Sequence, residues 1–442
     1  MLRVLKYDNP DDRRALEALI DRLRAQVTDC GAVAEQVAAI VEDVRHEGDD
    51  AVVKYMRKWT DPAFSADRIR VKADDLAIAE CDLQPNVRDA LRRAIDHVRQ
   101  YQSHILPKDP PPANIDGAEL GLRFTPIGKV GLHVPGGKAS YPSSVIMLGV
   151  PAQVAGVKEL ALVSPPPTGS AGTTASSADV SPLVLGVCSM LGITRVYRIG
   201  GAQAIAALAL GTESVDPVDF IAGPGNAYTQ QAKRQLFGVV GIDGLFGPSE
   251  VAILADETAN PHYLAADLIA QAEHDPGCCF LISTSAMVVE RILTAITSQL
   301  ANRKRRGVIE QALRDWSAAV VVPDDRAACE LIDTLAAEHV TLAVADPRKV
   351  LEQVGNGGAW FLGDATPVAS GDYYAGPSHC LPTGTTARFT SGLSVYTFLK
   401  RSSVETYPRG LSSQAVTDIA ALAEAEGLDG HAESVHIRRK VR

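Results

Sequence analysis

The sequence predicts an α/β fold of two doubly wound, parallel-sheet (incomplete Rossmann-like) units, with helices before them and a helical tail after. Three observations predict it. The chain, at 442 residues, is too long for one simple core. From Val130 to Leu362, short apolar runs without strict polar alternation alternate with helix-period segments. Such runs suit strands covered by helices on both faces.

Before that region, residues 11–24 and 32–47 carry apolar positions at a spacing of three to four, the mark of amphipathic helices. A third helix over 87–106 stops at Pro107, ahead of Pro110-Pro111-Pro112. The first unit opens with a strand from Val130 into the turn Pro135-Gly136-Gly137. Strands at 160–163, 195–199 and 219–221 follow, with helices at 181–191, 202–210 and 226–236. The second unit has strands at 251–255, 280–283, 318–322, 339–344 and 359–362, and helices at 261–274, 287–300 and 326–335. Asn260-Pro261 reads as a helix cap followed by proline in the first turn. A polar helix around 414–426 and a short tail close the chain, with too little apolar content for a core of their own; such an appendage suits packing on a partner subunit. Residues 165–181, rich in proline, glycine and serine, read as a surface loop.

Composition narrows the function. A net charge of −10 disfavours nucleic acid or an anionic membrane as partner. No run reaches the roughly 18 apolar residues of a membrane span, and the acidic N-terminus is unlike a signal peptide. A cytoplasmic enzyme is expected. The seven cysteines form no CxxC pair, so they are expected to be reduced thiols, mostly buried filler.

Four polar pieces of the C-terminal half carry the chemistry: Gln271-Ala-Glu-His274, Glu338-His339, Asp372, and Glu426 with His431. On a helix, Gln271 and His274 share one face. An amide oxygen, two imidazoles and a carboxylate supply four N/O ligands for a divalent metal. Glu338-His339 at a helix-to-strand junction reads either as a solvated pair or as an acid/base couple at the carboxyl edge of a sheet. Singly, each piece also reads as an ordinary helix end or turn. Gly200-Gly201 and Gly223-Pro-Gly-Asn226 each place glycines between a strand and a helix, where backbone amides receive phosphate, although neither is GxGxxG and an ordinary turn explains them equally well. Ser249, in Phe246-Gly-Pro-Ser-Glu250, is either a turn residue or a hydroxyl offered to a ligand.

In order and spacing these pieces resemble the histidinol dehydrogenase family, over residues 34–435. The matching stretches include GKVGLHVPGG (128–137), GGAQAIAALALGTESV (200–215), GPGNAYTQQAKRQ (223–235), GPSEVAILAD (247–256), DLIAQAEHDP (267–276), AEHV (337–340), SGDYYAG (370–376) and GLDGHAESVHIR (427–438). The resemblance implies NAD and one Zn2+ per site, two successive oxidations of L-histidinol through the aldehyde to L-histidine, and an intertwined homodimer. It implies zinc ligands Gln271, His274, Asp372 and His431, the last from the other subunit. Substrate contacts would be Ser249, His339 and Glu426 together with those ligands. His339 would be the base of the first oxidation and Glu338 that of the second. Gln203, Asn226 and the position of His133 would face NAD. The expected domains are 1–27, a terminal segment; 28–130 with 250–392, the metal-site half; 131–249, the NAD half; and 393–442, a tail exchanged in the dimer.

The chain departs from the family pattern at His133, usually tyrosine, at Phe246, usually alanine, at Ala337, usually proline, and at Pro377-Ser378-His379-Cys380, usually Thr-Asn-His-Val. A relative oxidising another small alcohol, an amino alcohol or a sulfonated diol, is therefore the alternative reading. Ser249-Glu250 and Glu426 favour histidinol. A non-catalytic metal-binding or assembly module would lack the Glu338-His339 pair or a ligand, and this chain keeps them all.

Overall fold

The computed structural model describes residues 1–28, 31–136, 140–166 and 180–438. Of the expected surface loop, 167–179 lie outside the described residues, as do Cys30 and Gly137. The strands are β1 (Arg3–Lys6), β2 (Ala113–Ile115), β3 (Ala118–Pro126), β4 (Lys129–His133), β5 (Glu159–Val163), β6 (Arg195–Tyr197), β7 (Phe220–Ala222), β8 (Gly241–Ile242), β9 (Ser249–Ala255), β10 (Gly277–Ser283), β11 (Ala318–Val321), β12 (His339–Ala343), β13 (Ala359–Leu362) and β14 (Leu399–Thr406).

Two parallel sheets carry the architecture, as the uninterrupted apolar runs required. One has the order β6-β5-β4-β7-β8 and the other β1-β11-β10-β9-β12-β13. β10 is buried at every position, because helices cover both its faces. From β4 in one sheet and from β9 in the other, the chain first builds outward in one direction and then returns to the other side of that strand. The resulting switch points lie between β4 and β7 and between β9 and β12, where α/β sheets place ligands.

Several elements differ from the sequence expectation. β1 adds an edge strand to the six-stranded sheet, paired in parallel with β11. At four residues it is too short for periodicity to reveal. β2 and β3 form a hairpin about Asp116-Gly117, both at positive φ, and β14 pairs antiparallel with β3. An Asp-Gly pair between apolar residues is a strong short-range hairpin signal, here masked by the preceding prolines.

The N-terminal helices also group differently from the expected domains. Helix Pro10–Thr28 buries Leu16, Ile20 and Leu23 against the six-stranded sheet. The helices between Gly31 and His104 bury Val37, Ile40, Val52, Met56, Ile95 and Val98 in the two cores flanking the five-stranded sheet. Contact between apolar faces thus assigns residues 31–104 to the five-stranded sheet and residues 1–28 to the other. The tail helices Ser413–Ala425 and Asp429–His436 share a small apolar cluster of their own, around Val416, Ala420 and Val435. No helix among the described residues is long and apolar enough to cross a membrane.

Leu5 is 2% exposed, whereas its neighbour Val4 is 47% exposed. Leu5→Ala is expected to cost about 2–5 kcal/mol by cavity formation, and Val4→Ala about 0.5 kcal/mol or less. Urea denaturation of both variants checks the contribution of β1; equal small effects would show that this strand is dispensable.

Candidate active site

The site is assembled at the amino ends of β9 and β12. Parallel pairing sets His339 opposite Val251, which brings the peptide of Glu250 beside both members of the Glu338-His339 pair. The Glu250 amide donates to Glu338 Oε2 (3.0 Å), and the Glu250 carbonyl accepts from His339 Nδ1 (3.1 Å). Because the carbonyl can only accept, Nδ1 carries the proton and Nε2 is the basic atom. Glu338 Oε2 also accepts from Ser249 Oγ (2.5 Å), which in turn accepts from Gln271 Nε2 (2.8 Å).

This corrects the expectation of a carboxyl-edge site. A residue at a helix-to-strand junction stands where its strand begins, so Glu338-His339 lies at the amino edge of its sheet. Gln271 and His274 reach the same edge from the end of helix Pro261–Ala272, just before β10. The helix ends before His274, whose amide continues the last turn by bonding the Gln271 carbonyl. Gly277 is required by that tight return: a Cβ there would lie 2.0 Å from the Gln271 carbonyl oxygen.

Burial dominates the electrostatics. Glu338 is 7% exposed and His339 4%. Desolvation raises the Glu338 carboxyl to a pKa of about 7, against the opposing pull of Ser249, the Glu250 amide and His274. The same cause lowers His339, with Asp372 opposing it, so the ring is held neutral. Asp372 Oδ1 lies 3.8 Å from His339 Nε2, and burial lifts its carboxyl to about 6. His274 keeps part of its surface in solvent, yet desolvation by the surrounding protein lowers its basicity, with Glu338 opposing and His339 reinforcing the shift.

Gln271, His274, Asp372, Ser249, Glu338 and His339 therefore form one connected neighbourhood. Glu426 and His431 do not join it: both are exposed on the tail, and among the described residues no hydrogen bond or ion pair links them to the cluster. Among the described residues, no three His, Cys, Asp or Glu side chains are gathered into a metal cage. Within one chain the donor set is one amide, one imidazole and one carboxylate. With the Gln271 nitrogen committed to Ser249, its carbonyl oxygen is the atom left to ligate.

The glycine-bearing turns follow β4, β6 and β7 at the carboxyl edge of the five-stranded sheet. Gln203 is 3% exposed, and its Oε1 is buried without a hydrogen-bond partner among the described residues. Asn226 caps helix Ala227–Leu236, its Oδ1 accepting from the Thr229 amide, which leaves the amide nitrogen for a ligand. His133 is placed inside rather than on this face. It is 3% exposed, burial lowers its pKa to about 4, and Nδ1 donates to the Pro224 carbonyl (2.6 Å). It props the Gly223–Asn226 turn.

Two further groups escaped the sequence reading. Glu250 is 1% exposed, and its Oε1 accepts from the Gly384 amide (2.8 Å). A carboxylate heading a fully apolar strand was the available signal. His379 bonds the Asp372 carbonyl through Nδ1 (3.1 Å) and meets Ser144 Oγ through Nε2 (3.2 Å), joining the two halves; no sequence pattern announces that link. The described cysteines are free thiols, and burial drives the Cys380 thiol well up, away from nucleophilic use.

A buried Glu338-His339 pair with shifted pKa values, beside the polar side chains of Gln271, His274 and Asp372, suits an enzyme better than a binding module. The comparisons give its family. The histidinol dehydrogenase family model matches residues 23–439, and the chain belongs to that family of oxidoreductases. It is 43% identical to the histidinol dehydrogenase of Gluconobacter oxydans, across 94% of this chain and 95% of the relative. It is also 43% identical to that of Thermosynechococcus vestitus, across 99% of both. The crystal structure of histidinol dehydrogenase from Elizabethkingia anophelis matches with a TM-score of 0.89 at 30% identity, covering 99% of this chain and 98% of that one.

Burial raises the Glu250 pKa from 4.5 to about 8. A raised folded-state pKa means the folded protein holds the proton more tightly. The associated stability is complete below pH 4.5 and is lost as pH rises through about 8. Glu250→Gln, which keeps an oxygen for Gly384, is expected to flatten that decline, by on the order of a few kcal/mol at the alkaline end. Urea midpoints of parent and variant measured across this range decide it; parallel pH profiles would refute it.

Proposed function

We propose that the protein oxidises L-histidinol to L-histidine in two successive steps, using NAD and a zinc ion, as a homodimer in the cytoplasm. The observation that carries this reading is the junction of a neutral buried imidazole, His339, with a carboxyl poised near neutrality, Glu338, beside Gln271, His274 and Asp372. The donor set fits zinc: a neutral imidazole and two oxygens are its borderline-hard ligands. The buried Gln203 Oε1, without a partner among the described residues, and the exposed Asn226 side chain at its helix N-terminus fit a polar cofactor at the other sheet. NAD would supply the hydride acceptor and zinc a fixed grip on the amino alcohol.

The chain's own residues divide the proton work. His339 Nε2 takes the hydroxyl proton in the first oxidation, its tautomer fixed by the Glu250 carbonyl. Glu338, with a pKa of about 7, is suited to remove a proton from water in the second. Ser249 links Glu338 to Gln271, so the second base and a ligating amide keep one geometry.

His431 and Glu426 would be supplied by the partner subunit. Their exposure supports this, as does the apolar tail surface, where Leu422 and Ile437 are each 69% exposed.

His339→Asn is expected to abolish NADH formation from L-histidinol, by about 100-fold or more. Glu338→Gln is expected to spare the first oxidation and to slow oxidation of the aldehyde. The reverse ordering would overturn these roles. Turnover of other amino alcohols or sulfonated diols, with none of histidinol, would replace the substrate. Zinc below about half an equivalent per chain after mild purification would remove the metal from the scheme.

A further inference from the structure

Three buried polar side chains outside the acid/base cluster converge on the two segments that flank the site. Lys233 is fully buried and Asp243 is 1% exposed at its side chain, while Gln230 is 6% exposed. Gln230 and Lys233 lie three residues apart on one face of helix Ala227–Leu236, and Asp243 directly follows β8.

An ammonium has three hydrogens, and Lys233 finds a partner for each. Nζ donates to the Gly223 carbonyl (3.1 Å) and to Asp243 Oδ1 (2.5 Å), and it stands 4.9 Å from the centre of the Phe246 ring. Asp243 Oδ2 accepts from the Gly223 amide (2.7 Å). The ion pair thus holds both peptide groups of Gly223. That residue, at φ +125°, passes so close to His133 that a Cβ would lie 2.1 Å from the His133 carbonyl oxygen. Gln230 spans the same gap: Nε2 donates to the Gly225 carbonyl (3.3 Å), and Oε1 accepts from the Phe246 amide (3.0 Å). Beyond Phe246, the Gly247 amide donates to Thr383 Oγ1 (2.6 Å), and the segment ends at Ser249, bonded to Glu338 and Gln271.

We propose that Lys233, Asp243 and Gln230 form a positioning strut that fixes the Gly223–Asn226 turn relative to the Phe246–Ser249 segment, and so sets the cofactor face against the substrate face. This rests on the function proposed above. A buried ion pair is a poor source of stability, since well-packed apolar side chains often serve as well or better. Apolar side chains, however, cannot hold the amide and carbonyl of Gly223 at once. Phe246 gains a reason here too: its ring caps the third hydrogen of Lys233, and its amide anchors Gln230.

The experiment uses the full-length protein. Lys233→Met/Asp243→Leu removes both charges and leaves neither unpaired; Gln230→Leu breaks only the second bridge. NADH affinity is measured by calorimetry, and KM and kcat for L-histidinol are measured separately. The double variant is expected to bind NADH at least about tenfold more weakly and to lose kcat, with an unchanged zinc content. Gln230→Leu is expected to shift NADH affinity the same way, by about threefold or more. A folded double variant with NADH affinity and kcat within about twofold of the parent overturns the strut. Should the double variant fail to fold, Gln230→Leu decides alone by the same criterion. A parent protein that binds no NADH removes the proposed function and the strut together, whereas a binding parent with unaffected variants removes only the strut.

Discussion

The backbone of Glu250 is the constraint on which the site depends. Its N–H holds the carboxylate of Glu338 and its C=O holds the imidazole of His339, so two side chains adjacent in sequence are oriented by the two peptide groups that flank one Cα, both fixed by the strand. That is possible only because β9 and β12, far apart in the chain, lie side by side in parallel with Val251 opposite His339. A slip of one residue would turn every side chain of β12 to the opposite face and separate both bonds from the pair. The buried ladder, with Val251, Ile253, Val340 and Leu342 in its two cores, is what prevents it. The orientation of Glu338 and His339 is thus a consequence of sheet register.

Much of this was legible in the sequence, for identifiable reasons. Apolar runs covered on both faces announce parallel strands whatever their neighbours, and β4 to β7 and β9 to β13 were recognisable on that basis, whereas β8, only two residues long, was not. What stayed hidden was what depends on pairing. β1 is four residues long and takes its identity from β11; the β2–β3 hairpin had its Asp-Gly signal but sat in a proline-rich stretch. The grouping of the N-terminal helices could not be read at all, since an amphipathic face does not name its partner. At the site, the polar residues were recognisable by type, and Glu338-His339 by position. The edge they occupy was misread, because the strand's direction within the junction was not followed through. The structural roles of Glu250, His379 and the Lys233–Asp243 pair stayed hidden, since each depends on a bond to a residue outside its own segment of the chain, which leaves no mark on local pattern.

The two sheets meet with opposite edges, and helix polarity explains why that arrangement is useful. At the carboxyl edge of the five-stranded sheet, helices Pro142–Ala155, Gly201–Leu210 and Ala227–Leu236 begin, presenting free amides and the positive end of their dipoles. At the amino edge of the six-stranded sheet, helices Pro261–Ala272 and Asp325–Leu335 end, presenting carbonyls and the negative end. One face therefore suits phosphate and the other a cation, before any side chain is considered. The side chains extend the same division: Gln203 and Asn226 on the first face, His274, Asp372 and Glu338 on the second. Burial holds the two carboxyls above their ordinary range, an electrostatic cost that a cation seated among them would offset. Opposed dipole ends and buried carboxyls thus favour the same occupants that the acid/base geometry can use, one on either side of the seam.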